Sequence, residues 1–165
     1  MRINGERMKV FKCCLVMIAF FSLVSCSSLS VNLPSYDDLL KTQTEQDGRA
    51  CVRHYNIRGY GMLEDDVISI NASGKNRYYL ITTLFRCHSL QTSFSAGFKG
   101  DFSELCGGGL DKVVTSEESC PIKSIFEFES RDEAFATFEK VDEIRQNLRK
   151  AAKEKAEVQV ALKND

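Results

Sequence analysis

No run of twenty apolar residues occurs in this chain of 165 residues, and a helix needs about that many to cross a bilayer. A permanent transmembrane helix is therefore not expected. Basic residues are not in excess, with 22 Lys and Arg against 23 Asp and Glu, so the whole-chain charge gives no reason to expect nucleic acid or an anionic membrane surface as partner. A Gly-x-Ser-x-Gly elbow is missing, and two histidines among scattered serines and aspartates do not make a catalytic triad. A close Cys-x-x-Cys pair, the usual thiol-redox device, is missing too. Gly107-Gly108-Gly109 lacks the Gly-Lys-Ser/Thr that completes a phosphate loop and reads as a turn. These absences assign no catalytic residue, no cofactor and no metal, and the expectation is a protein that is not an enzyme.

What the chain does have begins at its N-terminus. Arg2, Arg7, Lys9 and Lys12 outweigh Glu6, and a twelve-residue apolar run follows over residues 13–24. That is the pattern of a signal peptide, too short to span. The run closes on Leu23-Val24-Ser25-Cys26, which resembles the lipobox of bacterial lipoproteins. The resemblance implies cleavage after residue 25, acylation of Cys26 and attachment to membrane lipid through it. Ser27 follows where an aspartate would retain a Gram-negative lipoprotein at the inner membrane, so the resemblance implies the outer membrane, facing the periplasm. Removal of residues 1–25 takes four basic and one acidic residue, leaving 18 basic against 22 acidic.

Seven cysteines become an even set by the same step. Cys13 and Cys14 leave with the leader and Cys26 is taken by lipid, so Cys51, Cys87, Cys106 and Cys120 remain. In an oxidising compartment they read as two disulfides, with three possible pairings. Shorter loops close more easily, which favours Cys51 with Cys87 and Cys106 with Cys120. The competing chemistry is zinc, with Cys51, His54, Cys87 and His88 as ligands. Cys87 and His88 are adjacent, however, and bind one ion together only with difficulty.

Four segments follow: a leader over 1–25, a lipid-anchored tether over 26–47, a disulfide-stapled β domain over 48–129 and an amphipathic helix over 130–165. The tether is polar, with Pro34 as breaker and scattered apolar points at Leu29, Val31, Leu33, Tyr36, Leu39 and Leu40. A flexible chain of that length reaches about 25 Å. Ser35 with Asp37 and Asp38 is also compatible with a short helical turn that docks on the domain. Short apolar runs separated by Gly, Asn, Asp and Ser then predict antiparallel strands over 57–63, 67–72, 77–84, 92–98, 110–115 and 122–128. Between the second and third, Ser73-Gly74-Lys75-Asn76 predicts a hairpin. Glu64-Asp65-Asp66 reads as an exposed turn. Ser130-Arg131-Asp132-Glu133 supplies a capping box, and Ala134, Phe138, Val141, Leu148 and Ala152 trace one helical stripe that thins at its end. The fold class expected is mainly β: a small antiparallel barrel or sandwich of five to six strands plus a long C-terminal α-helix.

Cys51-Val52 leading to Ile57, Leu63-Glu64-Asp65-Asp66-Val67, Tyr79-Leu80 with Leu84, Cys87-His88-Ser89-Leu90, Leu105-Cys106 with Asp111, and Cys120-Pro121-Ile122 with Ile125 carry a further resemblance. Together they resemble a domain-of-unknown-function family of exported proteins and lipoproteins of Gram-negative bacteria. The triple glycine before Asp111 is longer than the family's short cysteine-glycine-aspartate turn. The resemblance implies a compact four-cysteine β domain and no activity. The expected function is thus a non-enzymatic envelope lipoprotein that binds another envelope component, an envelope protein among them. The alternative is a module binding zinc or a small ligand, the latter on a face of Tyr55, Tyr60, Tyr78, Tyr79, Phe85, Phe94 and Phe98.

Overall fold

The computed structural model describes residues 33–163 except 75, 76, 94, 101, 102 and 110. The segment read as a leader, Cys26 and the first part of the expected tether lie outside the described residues, and so does the lipid attachment expected at Cys26.

The first described helix begins with a cap. Ser35 Oγ accepts the Asp38 N–H at 3.2 Å and the Asp38 carboxylate accepts the Ser35 N–H at 3.3 Å, closing a capping box on helix α1 (Tyr36–Thr44). Tyr36 and Leu40, four residues apart, share one face and are buried. The stretch read as the second half of a flexible tether is therefore, from Ser35 onward, a docked helix. Its few apolar residues stand at helical spacing, which is enough to seat a short helix on a sheet.

Eight strands follow: β1 (Cys51–Arg53), β2 (Ile57–Glu64), β3 (Val67–Ala72), β4 (Arg77–Thr83), β5 (Gly97–Lys99), β6 (Glu104–Cys106), β7 (Lys112–Val114) and β8 (Ser119–Phe128). Six form one antiparallel sheet in the order β2-β3-β4-β8-β7-β5, curled into a half-barrel, and β1 pairs with β6 as a separate ribbon. A short helix α2 (Ser89–Thr92) and the long helix α3 (Arg131–Lys163) complete the fold. The expected mainly β architecture with a C-terminal helix is what the chain adopts. The segment 92–98 is corrected: its start belongs to α2, and strand pairing begins only at Gly97.

Alternation along the strands separates two cores. Ile68, Ile70, Ala72, Tyr79 and Ile81 face the concave side with Val52, Leu105, Val113 and Cys120. Val67, Leu80, Phe126 and Phe128 face the opposite side, where Tyr36 and Leu40 of α1 and Ala134 and Val141 of α3 cover them. The period of two explains β3 and β4. On β8, Ile122 and Ile125 are three apart yet share the concave core, because the β4–β8 register jumps from Thr82↔Ser124 to Thr83↔Ile122. Lys123 is the extra residue of a bulge, which turns the chain over between the two isoleucines.

The outer edge of β8 is closed without a further strand. Gly48 O accepts the Ile125 N–H at 2.8 Å, Ile125 O accepts the Ala50 N–H at 3.2 Å, and Gly108 N–H reaches Lys123 O at 3.0 Å. Gln46 continues the ladder with its side chain, its amide nitrogen donating to Glu127 O and its amide oxygen accepting the Glu127 N–H, each at 2.9 Å. Gly107-Gly108-Gly109 is a turn, as expected. Its length is accommodated because Asp111 folds back and accepts the Cys106 N–H at 2.6 Å.

The four cysteines form two disulfides, and the expected pairing is corrected: Cys51 joins Cys106 and Cys87 joins Cys120. Loop length was the weaker consideration. Separations of 55 and 33 residues replace 36 and 14, and the logarithmic closure cost rises only by about 0.4 and about 0.8 kcal/mol. Strand register outweighs that, since Cys51 and Cys106 are directly opposed in β1–β6 with Cα atoms 4.2 Å apart.

Helix α3 starts as its sequence predicts, with Glu133 N–H donating to Ser130 Oγ at 3.2 Å. The Glu133 carboxylate accepts the N–H of Glu129, one residue before the cap, at 3.0 Å. At 33 residues the helix is about 50 Å long. Its last fully buried residue is Val141, and residues 146–151 are exposed.

Candidate functional site

Where α1 crosses the convex side of the sheet, a carboxylate is buried. Asp37 sits in the first turn of α1 and is 3 % exposed. Beneath it Thr82 and Ser124 face each other across β4 and β8, both buried. Thr82 Oγ1 donates to Asp37 Oδ1 at 3.0 Å, and Lys41 and Lys123 donate to Oδ2 at 3.0 and 2.9 Å. The bulge at Lys123 is what brings that lysine to the helix side beside Ser124. Burial alone raises the Asp37 carboxyl, but hydrogen bonds from Ser124, Lys123, Lys41 and Thr82 outweigh it and hold the group at about 2. An ionised carboxylate held by Thr82 on one oxygen and by two lysines on the other is a poor proton acceptor near neutral pH. Its chemistry is structural: it fastens α1 to the sheet.

One turn away, the N-terminal end of α1 meets the middle of α3. The Tyr36 hydroxyl donates to Asp142 Oδ1 at 2.6 Å, its ring stacks on Phe138 at 5.7 Å, and the Arg145 guanidinium lies over the ring at 4.3 Å. Burial and then the bond to Asp142 push the tyrosine up, so it stays a neutral donor. Arg145 Nε also donates to Pro34 O at 3.3 Å, which fixes where the chain enters the fold. Beside this junction lies an open groove of about 560 Å³, bordered by the β2–β3 turn, Arg86 and one face of α3. Burial pushes the Asp66 carboxyl in that turn upward. Turn and groove are tied together, with Arg86 3.9 Å from Asp65, the Gln91 amide donating to Asp65, and Asp65 O accepting the Cys87 N–H at 2.8 Å. The acidic turn expected at Glu64-Asp65-Asp66 is thus present, and its backbone anchors the following loop.

The zinc grouping is not assembled. Cys51 is bonded to Cys106 and Cys87 to Cys120, and the clusters of three metal-capable side chains among the described residues, Cys51 with Glu104 and Cys106 and Cys87 with Glu118 and Cys120, contain neither His54 nor His88. In both, the sulfurs are spent on each other. Glu118 in the second accepts from Ser89 N–H and Oγ at 3.2 and 3.0 Å, which pins α2 above the bridge. His54 Nε2 is buried without a hydrogen-bond partner.

The aromatic residues do not form a face either. Tyr79 is in the concave core, Tyr78 packs against Phe135 of α3 on the other side, Tyr60 meets Phe98 edge-on at 6.4 Å, and Tyr55 and Phe85 stand exposed. Phe94 lies outside the described residues. The groove was missed by sequence reasoning because its walls come from four separate segments.

No helix among the described residues is long and apolar enough to cross a membrane. No curated protein and no solved structure matches the chain. One family model matches residues 8–156, a span that takes in part of the leader, Cys26, both disulfides and most of α3. The chain belongs to this family of unknown function, DUF6491.

Proposed function

We propose that this protein is a lipid-anchored lipoprotein of the bacterial cell envelope, held at the outer membrane and facing the periplasm, whose body works by binding and not by catalysis. The observation that carries the reading is cysteine usage. Once Cys13 and Cys14 leave with the leader and Cys26 takes lipid, every remaining cysteine is paired, Cys51 with Cys106 and Cys87 with Cys120. Such bridges form and persist in an oxidising, exported compartment and are rare in a reducing one. The basic start, the short apolar run and Leu23-Val24-Ser25-Cys26 supply the export and anchoring signals. Ser27 in place of aspartate supports the outer membrane. Binding is favoured over chemistry because the buried carboxylates among the described residues are engaged, Asp37 by Thr82, Lys41 and Lys123 and Asp111 by the Cys106 N–H.

Envelope fractionation with intact-mass analysis tests this. The wild-type chain is expected in the membrane fraction, beginning at Cys26 and carrying acyl mass, and Cys26→Ser is expected to accumulate as an unlipidated precursor. A wild-type chain without acyl mass contradicts the reading.

A further inference from the structure

We propose that the groove beside Pro34, together with the Leu84-Phe85-Arg86 loop, seats the body against anionic phospholipid headgroups of the membrane that holds the anchor. This rests on the lipoprotein reading above and names the partner surface within it.

Charge comes first. Arg86, Arg145, Arg149, Lys150 and Lys153 border the groove. Arg145, Arg149 and Lys153 follow one another at four-residue spacing, so α3 presents them on one face. Arg149, Lys150 and Lys153 are exposed, and no carboxylate lies within ion-pair distance of them among the described residues. Three carboxylates share the lining, but two are occupied: Asp142 by the Tyr36 hydroxyl and the Gln146 amide, Asp65 by Arg86 and the Gln91 amide. Glu64 is the third. The cations therefore exceed what the groove itself neutralises.

Position comes second. Arg145 holds Pro34 O at the groove's margin, and Cys26 precedes Pro34 by eight residues. Eight residues span at most about 28 Å even when fully extended, so an anchor on Cys26 keeps this side of the body within reach of the lipid surface. The third observation is apolar. Leu84 and Phe85, immediately before Arg86, are 54 % and 50 % exposed. Arg86 lines the groove and so joins this exposed apolar pair to the cationic face, and exposed apolar side chains at the edge of a cationic face are how peripheral surfaces combine shallow insertion with attraction to anionic lipid.

The test uses the chain's lack of tryptophan. Gln146→Trp places a single reporter on the exposed groove face of α3, one turn from Arg149 and Lys150. The mature protein carrying it is isolated from the envelope and its intact mass recorded. It is then reconstituted into vesicles of phosphatidylcholine alone or phosphatidylcholine with phosphatidylglycerol, each containing a headgroup-spin-labelled lipid. Several-fold stronger quenching is expected with phosphatidylglycerol. Molar salt should remove it, because the screening length there is about 3 Å, and so should Arg149→Glu with Lys150→Glu and Lys153→Glu. Phe85→Ser should weaken it, and circular dichroism should show each variant folded. An acylated chain quenched equally on both vesicle types, or indifferent to charge reversal, overturns this inference and leaves the lipoprotein reading standing. A chain without acyl mass overturns the lipoprotein reading, and this inference with it.

Discussion

Two glycines set how closely the chain wraps the edge of β8. A Cβ on Gly107 would collide with Gly48 O and lie 2.9 Å from Ile125 N, and one on Gly48, whose φ is +77°, would lie 2.6 Å from Ser124 Cβ. Both collisions are with backbone or a buried strand residue, which cannot swing aside. Gly107→Ala is therefore expected to cost about 1–3 kcal/mol through overpacking. Gly59→Ala, where no atom lies within 4 Å, should stay within about 0.5 kcal/mol. Urea unfolding midpoints of the two variants check this. Asp37 is the other residue whose change has a calculable sign. Its carboxyl sits at about 2 against an ordinary 3.8, so its charge stabilises the fold fully above pH 4 to 5 and that contribution fades as pH falls from 3.8 toward 2. Linkage puts it at about 2 kcal/mol. Asp37→Asn should lose about that much at neutral pH and show a flatter decline of stability between pH 4 and 2, read by denaturant melts across that range. None of this was legible in the sequence. Glycine content does not reveal which glycine meets which carbonyl, and Asp37 looks like any first-turn acid until Thr82, Ser124 and Lys123 arrive from strands far along the chain.

At the scale of elements, legibility followed length. The six-residue alternation of β3 and the run of β4 announced their hairpin, and Ser130 with Glu133 announced the start of α3. Strand β7 lies inside the run expected at 110–115, whereas β1 and β6, of three residues each, are too short for a period of two to declare itself. They are strands because neighbours pair with them. Helix α1 was only half legible: a short docking turn from Ser35 was one reading beside the flexible tether, but its capping box, its run to Thr44 and the burial of Tyr36 and Leu40 were not read. That docking should matter more than the length of α3. Leu40→Ala removes a fully buried side chain and should cost about 2–5 kcal/mol. Truncating α3 after residue 157 removes the exposed residues 158–161 with those that follow them and should change the thermal midpoint little. A truncation as damaging as Leu40→Ala would mean that the end of α3 is packed in solution.

At the scale of the whole molecule, two bridges tie regions that the sheet alone leaves apart. Cys51–Cys106 lies within the β1–β6 ribbon, and Cys87–Cys120 fastens the loop after β4 to β8 beneath α2. In the chain-entropy model each contributes about 4 kcal/mol, a large share of the stability of a domain this size. Cys87 and Cys120 are fully buried while Cys51 is exposed, so a reductant should open Cys51–Cys106 in the native protein and reach Cys87–Cys120 only on unfolding. Net charge says little at this scale, because a whole-chain sum close to neutral averages away the unpaired cations along α3. Cysteine count, in contrast, was informative: the four cysteines expected to remain after a proposed leader and a proposed lipid site are the four that pair, even though the pairing required the fold. Non-reducing peptide mapping by mass spectrometry, on the protein isolated from the envelope, tests the account most directly. It should find Cys51 linked to Cys106, Cys87 linked to Cys120 and an acylated N-terminal peptide beginning at Cys26. Free thiols, links of Cys51 to Cys87 and Cys106 to Cys120, or an intact leader ahead of an unmodified Cys26 would contradict it.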